Sequence, residues 1–128
     1  MTGEIDVARM LASLRIERRE GRFTMVTLEA PVDLGNGVEA VISEREGTTA
    51  VVSLVEAERR GWPIGFEAAW LTVEVHSSLE AVGLTAALSS VLAELGIPCN
   101  VLAGYFHDHL LVPFDRADEA VEALESVR

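Results

Sequence analysis

Two places in the chain carry residues able to handle a small polar molecule. The first is the run Ser77-Ser78-Leu79-Glu80-Ala81-Val82-Gly83-Leu84, which leads into an apolar stripe at helical spacing. A helix start presents unpaired backbone N–H groups at the positive end of the helix dipole, an arrangement that favours an anion. A serine hydroxyl adds a donor, and Gly83, with no side chain, lets a ligand or a neighbouring backbone approach closely. The same residues also make an ordinary capped helix start, in which Ser77 or Ser78 serves only the backbone. The second place is His107-Asp108-His109, a polar break between two apolar segments. Asp108 is an acceptor suited to an ammonium group, although hairpin turns commonly hold an aspartate with no ligand. Glu74 and Glu80 are further acceptors of the same type, with solvated surface charge as their simpler reading.

Other chemistries find less support. His76, His107 and His109 are transition-metal ligand types, but a turn at Asp108 breaks their common face and no fourth ligand stands out, so no metal is expected. Trp62, Trp70, Tyr105 and Phe106 have the rings to stack on a ligand, and equally suit a core or a dimer interface. Cys99, the single cysteine, has apolar neighbours and reads as an inert buried thiol; with one cysteine there is no intrachain disulfide. All ten basic residues are arginine, which removes a P-loop lysine, a Schiff-base lysine and a lysine general base. No nucleophile–histidine signature, HExxH, GxGxxG or paired CxxC occurs, so the chain is not expected to be an enzyme and no cofactor is expected.

The formal net charge of -11 repels phosphate backbones and anionic lipid, so neither nucleic acid nor membrane is expected as a partner. The N-terminal segment has no apolar signal core and no apolar run is long enough to span a bilayer; a cytoplasmic location is expected. With 128 residues, 49% of them hydrophobic, the chain can bury a real core.

The elements that must position these residues are clearest in the second half. Trp70 to Val75 alternates as a strand. Leu84, Leu88, Val91, Leu92 and Leu95 form a helical stripe that ends at Gly96, a suitable left-handed cap, with Pro98 beyond it. Asn100 to Tyr105 and His109 to Pro113 read as a hairpin. Asp115 reads as a helix cap before a stripe of Ala117, Ala120, Val121, Leu124 and Val127. Strand, helix, strand, strand, helix is a βαββαβ ferredoxin-like unit without its last strand, which the first half is free to supply. In that half, Val7, Met10, Leu11 and Leu14 suggest an opening helix. Phe23 to Leu28, Val38 to Glu44 and Thr48 to Leu54 read as strands, Pro31 to Gly37 as a turn-rich loop, and Val55 to Arg60 as a short helix. The seam falls in Arg60-Gly61-Trp62-Pro63-Ile64-Gly65, giving units 1–64 and 65–128.

The stretch from Leu71 to Ala87, with Leu71-Thr72-Val73-Glu74-Val75-His76-Ser77-Ser78, and the stretch Leu95-Gly96-Ile97-Pro98-Cys99-Asn100-Val101-Leu102-Ala103-Gly104-Tyr105-Phe106-His107-Asp108-His109 resemble a small bacterial family of ACT-domain proteins with two ACT-like units in a short chain. The second half is also similar, more distantly, to the ACT units of CASTOR-type arginine sensors and aspartokinases. In the first half the resemblance rests on Arg45-Glu46-Gly47-Thr48 and its flanking strands. It implies an α+β fold of two ferredoxin-like ACT-type units packed together, with antiparallel sheets and helices on one face. It also implies a regulatory module that binds a small molecule of the amino-acid class near the loop from first strand to first helix. Ser77, Ser78, Val82, Gly83 and Leu84 on that loop, with His107 and Asp108 on the hairpin, are the implied ligand contacts. Such units commonly pair, so a homodimer is expected. The competing reading is a structural or protein-interaction domain of the same fold with no ligand.

Overall fold

The computed structural model describes residues 8–9, 11–75 and 83–128. Strands β1 (Arg15–Leu28), β2 (Val38–Glu44) and β3 (Gly47–Ser53) are followed by helix α1 (Leu54–Arg60) and strand β4 (Ala68–Glu74). Helix α2 (Leu84–Glu94), strands β5 (Asn100–Ala103) and β6 (Asp108–Pro113), a 3-10 turn (Phe114–Arg116) and helix α3 (Ala117–Glu125) complete the chain. The strands form one six-stranded sheet in the order β2-β3-β1-β4-β6-β5. The mixed α+β architecture is that of ferredoxin-like units.

The chain divides into two compact units, one of Met1–Arg19 with Trp70–Arg128 and the other of Glu20–Ala69. The unit holding the second half of the sequence therefore takes in chain from the other end. Within it the strands run β1, β4, β6, β5, so the N-terminal part of β1 stands where the last strand of a βαββαβ unit belongs. A cut at 64/65 follows the sequence; the clustering in space differs because β1, at 14 residues, runs through both units. That part of β1 is tied down by side chains. Arg18 Nη1 donates to Asp118 Oδ1 at 2.8 Å and its guanidinium lies 5.0 Å from the centre of the Phe114 ring. The Arg19 guanidinium stacks 4.0 Å from the centre of the Trp70 ring.

In the same unit, Leu84, Leu88 and Leu92 of α2 and Ala117, Ala120 and Leu124 of α3 are buried, as the helical spacing requires, and the two helices pack together. Gly96 adopts the left-handed conformation (φ 68°) that ends α2, and its N–H donates to the Ala93 carbonyl at 3.0 Å. Leu95, expected on the buried stripe, is 42% exposed because the helix has already ended there. Arg116 secures this end, donating to the carbonyls of Leu95 (2.9 Å) and Gly96 (3.0 Å). Asp115 does not cap α3: the chain passes through the 3-10 turn first, and no side chain caps that helix. Of the opening helix, Val7 and Met10 lie outside the described residues, while Ala8, Arg9, Leu11 and Ala12 are helical.

The β5–β6 hairpin is shorter than its apolar run. Strand β5 stops at Ala103 because the Gly104 N–H turns back to the His107 carbonyl at 2.9 Å. A Cβ on Gly104 would sit 2.9 Å from that carbonyl oxygen and 3.4 Å from His109 Nε2, so this close turn needs glycine. Trp70, expected in a core or an interface, is buried, and its indole N–H donates to His109 Nδ1 at 3.1 Å. An indole only donates, so Nδ1 carries a lone pair and the His109 proton sits on Nε2. Thr72 Oγ1 also lies 3.0 Å from Nδ1. Burial first, then the Arg19 and His107 charges, push the His109 pKa below its ordinary value, with Asp108 opposing them.

In the Glu20–Ala69 unit, β1 pairs with β3 and β2 with β3, all antiparallel, around Val26, Val38, Ala50, Val52 and Ala57. Trp62 packs half-buried against this core. Helix α1 starts with Ser53, whose Oγ accepts the Glu56 N–H at 3.1 Å, and ends at left-handed Gly61. Thr24 is 1% exposed in this sheet, opposite Val52, and its hydroxyl has no hydrogen-bond partner among the described residues.

Two measurements follow. An unpaired buried hydroxyl costs about 1–3 kcal/mol, so Thr24→Val should raise stability by roughly 1 kcal/mol in denaturant unfolding; a loss of that size would mean the hydroxyl is paired. For His109 the folded state binds fewer protons than the unfolded one between the lowered value and 6.5. Its contribution is therefore complete above 6.5 and is lost as pH falls through the folded value. Unfolding of wild type and His109→Gln against pH should show wild type losing more stability below pH 6.5, and parallel curves would refute the assignment.

Candidate functional site

The helix start and the hairpin aspartate, 23 residues apart in sequence, meet in the structure: Thr85 Oγ1 donates to Asp108 Oδ2 at 3.3 Å. Gly83 is the N-cap of α2 in the left-handed region (φ 95°), and no side chain caps the helix. Its carbonyl accepts the Ala87 N–H at 2.9 Å, which is the first turn of the helix. The first turn contains no acidic residue, so nothing in it neutralises the positive end of α2. Leu84 is 5% exposed; its side chain belongs to the core, which leaves its backbone as the part able to meet a ligand. Asp108 opens β6 opposite Ala103 and is half-buried.

Neighbouring strand residues point to opposite sides of a sheet. Asp108 accordingly turns toward α2 while His109 turns toward Trp70 and Thr72. Burial and the indole donor both disfavour the imidazolium form of His109. The arrangement thus ties a carboxylate, through the Thr85 hydroxyl, to a helix start whose first turn carries no acidic residue. That geometry fits a ligand carrying an anionic and a cationic group on adjacent atoms.

The remaining candidates divide. Ser77, Ser78, Val82, Glu80 and His76 lie outside the described residues. His107 is exposed, its ring centre 6.2 Å from that of His109, and its carbonyl closes the hairpin turn. Glu74 ends β4, half-buried. Tyr105 and Phe106 are 75% and 83% exposed at the hairpin tip, edge to face at 5.1 Å, and so are not core residues of this chain. Cys99 is half-buried and burial raises its thiol pKa, as expected for an unreactive group. Among the described residues no group of three His, Cys, Asp or Glu side chains is placed to hold a metal ion, and no helix is long and apolar enough to cross a membrane.

Thr85 is the site residue that sequence reasoning passed over. Its signal was faint: a threonine two residues after a glycine that begins a helix, on the face away from the leucine stripe. Thr72 and Trp70 have the pattern of strand residues, and nothing in their spacing announces a histidine partner 37 and 39 residues away.

An ACT-domain family profile matches residues 66–126 and a second ACT-domain profile matches residues 2–69. A crystal structure of a protein of unknown function from Vibrio cholerae, described as a possible transport protein, superposes with a TM-score of 0.88 at 35% identity, covering 98% of each chain. A protein from Agrobacterium tumefaciens superposes with a TM-score of 0.64 at 17% identity, over 90% of this chain and 89% of that one, and shares the fold. No functionally curated protein matches. With one profile on each half and a relative of the same length throughout, this chain belongs to the ACT-domain family.

Proposed function

We propose that the chain binds a free amino acid at the start of α2 and acts as a regulatory module, not a catalyst. ACT domains are regulatory units that often bind small molecules, which sets the class. The observation that carries the amino-acid reading is the Thr85–Asp108 contact, which holds a carboxylate against a helix start free of acidic residues. The ligand carboxylate takes the backbone N–H groups at Gly83 and Leu84, with Ser77 or Ser78 adding a hydroxyl, and the ligand ammonium takes Asp108. His107 flanks the same hairpin. A ligand that bridges α2 and β6 binds best to one arrangement of the two and shifts the population toward it.

The protein acts as a homodimer in the cytoplasm. Among the sheet edges, β2 is guarded by Glu39, Glu44 and a bulge between Val38 and Ala40, whereas β5, Asn-Val-Leu-Ala, carries no charge. In a chain of net charge -11, the uncharged edge is where two copies approach with least repulsion. The exposed Tyr105–Phe106 pair beside it favours the second reading, a protein-interaction domain without a small ligand.

Thermal unfolding against the twenty amino acids tests the ligand. At a hundred times its dissociation constant a true ligand adds about 2.7 kcal/mol, several degrees for a chain of this size. The shift should vanish in Asp108→Ala and weaken at least threefold in affinity in Thr85→Val. A flat response across all twenty transfers the reading to the interaction domain. Light scattering should give twice the chain mass, and Val101→Asp on β5 should give the monomer; a wild-type monomer at micromolar concentration removes the dimer.

A further inference from the structure

A second cluster, in the Glu20–Ala69 unit, has no part in the site above. An open cavity of about 390 Å3 is lined by Asn36, Gly37, Ser53, Val55, Glu56 and Arg59. Its floor is a buried carboxylate: Glu56 is 6% exposed. Arg59 Nε and Nη2 grip its two oxygens at 2.8 and 2.6 Å, and Arg60 Nε donates to Oε2 at 2.7 Å. Arg60 also stacks 4.8 Å from the Trp62 ring centre. Two guanidinium groups on one carboxylate leave one net positive charge, in a chain whose total is -11.

This exceeds what helix stabilisation requires, since a single arginine already neutralises Glu56. The Nη1 group of Arg59 has no partner among the described residues, and the side chain is 63% exposed at the cavity wall. Its fork is nevertheless fixed by the two bonds to Glu56, so a ligand would meet a donor already oriented. Ser53 Oγ accepts from the Glu56 amide, leaving its own proton to donate. Gly37 packs directly against both residues: a Cβ there would come within 2.6 Å of Glu56 Cβ and 2.8 Å of Ser53 Oγ. Val55, 78% exposed, adds an apolar wall that inorganic anions do not use.

We infer that this cavity binds a small organic carboxylate with a short apolar tail, its carboxylate on Arg59 and Ser53 and its tail on Val55. Helix α1, at seven residues, is too short to contribute a dipole, so the selectivity rests on these side chains.

The probe is isovalerate, titrated into the 15N-labelled full chain, with isovaleramide as its neutral isostere and inorganic phosphate as the tailless anion. Isovalerate should shift the Gly37 amide and the Arg59 Nε–H saturably in the millimolar range, at least tenfold more tightly than isovaleramide or phosphate. Resonances of Gly83 and Asp108 report the other site, so the two readings stand or fall separately. Arg59→Gln should abolish the shifts. Because that change also loosens α1, Val55→Asp is the second variant: exposed and outside the clamp, it should keep the fold and weaken binding tenfold or more. Equal binding of phosphate overturns the tail. No shift at Gly37 in wild type, or unchanged binding in Val55→Asp, overturns the site.

Discussion

The unit that carries the candidate site is closed by a strand from the opposite end of the chain, and most of its geometry follows from that closure. Among the described residues Trp70–Arg128 supplies three strands and two helices; the fourth strand is the N-terminal part of β1. Bringing it in closes a loop of some fifty residues, an entropic cost that grows only slowly with length but must be met by contacts made at the junction. Arg18 and Arg19 make them. One reaches Asp118 and Phe114 beside α3, and the other lies on the Trp70 ring. Trp70 passes the constraint to β6 through His109, and the residue before His109 is Asp108. The position of the proposed ligand acceptor is thus linked, through two stacked side chains and one hydrogen bond, to a strand at the far end of the sequence.

That linkage explains what could be read in the sequence and what could not. The α2 stripe, its end at Gly96 and the two arms of the hairpin were legible because each depends on local periodicity or on one residue with a special backbone. Gly83 and Asp108 were legible as types, a helix start and a polar break. Their meeting was not, because the Thr85 side chain that joins them leaves no periodic trace. The first part of β1 is not legible as a strand: Arg15-Ile16-Glu17-Arg18-Arg19-Glu20 shows no apolar alternation, and most of these residues are exposed. Its strand conformation comes from its neighbours in the sheet, with the intrinsic preference of the residues overridden. In the first half, Ser53-Leu54-Val55-Glu56 has the spacing of a capping box. Here the structure departs from the usual box: the Ser53 N–H donates to the Gly37 carbonyl at 2.8 Å, and Glu56 turns to the arginines.

Arginine does work in this chain that composition alone would not suggest. In an acidic protein the simple expectation is that basic residues balance charge at the surface. Arg116 instead ties two backbone carbonyls at the end of α2 while pairing with Glu119, and Arg22 pairs with Glu67 across the Glu20–Ala69 unit. Arg116 uses the planar fork to reach more than a point charge could, and Arg18, Arg19 and Arg60 lie on aromatic rings. Replacement of these residues by lysine would keep the net charge and lose the geometry. Exposed pairs of this kind contribute only about 0–1 kcal/mol each, so their value lies in register and orientation more than in stability.

The alternation of a β-strand finally separates two tasks that the sequence places side by side. Asp108 and His109 are adjacent, yet one faces α2 and the other faces β4, so neither can take the other's role without a shift of register that would reverse every side chain of β6. Leu110 and Val112, buried on the Asp108 side, and Leu111, buried on the His109 side, resist that shift because both faces of the strand are packed. A change at Asp108 therefore reaches His109 and Trp70 through a strand that cannot slip. The available response is a small displacement of the hairpin end, where Gly104 already brings the turn against the imidazole. In a fold this short, that is how a ligand at the start of α2 would be felt at the strand that closes the unit.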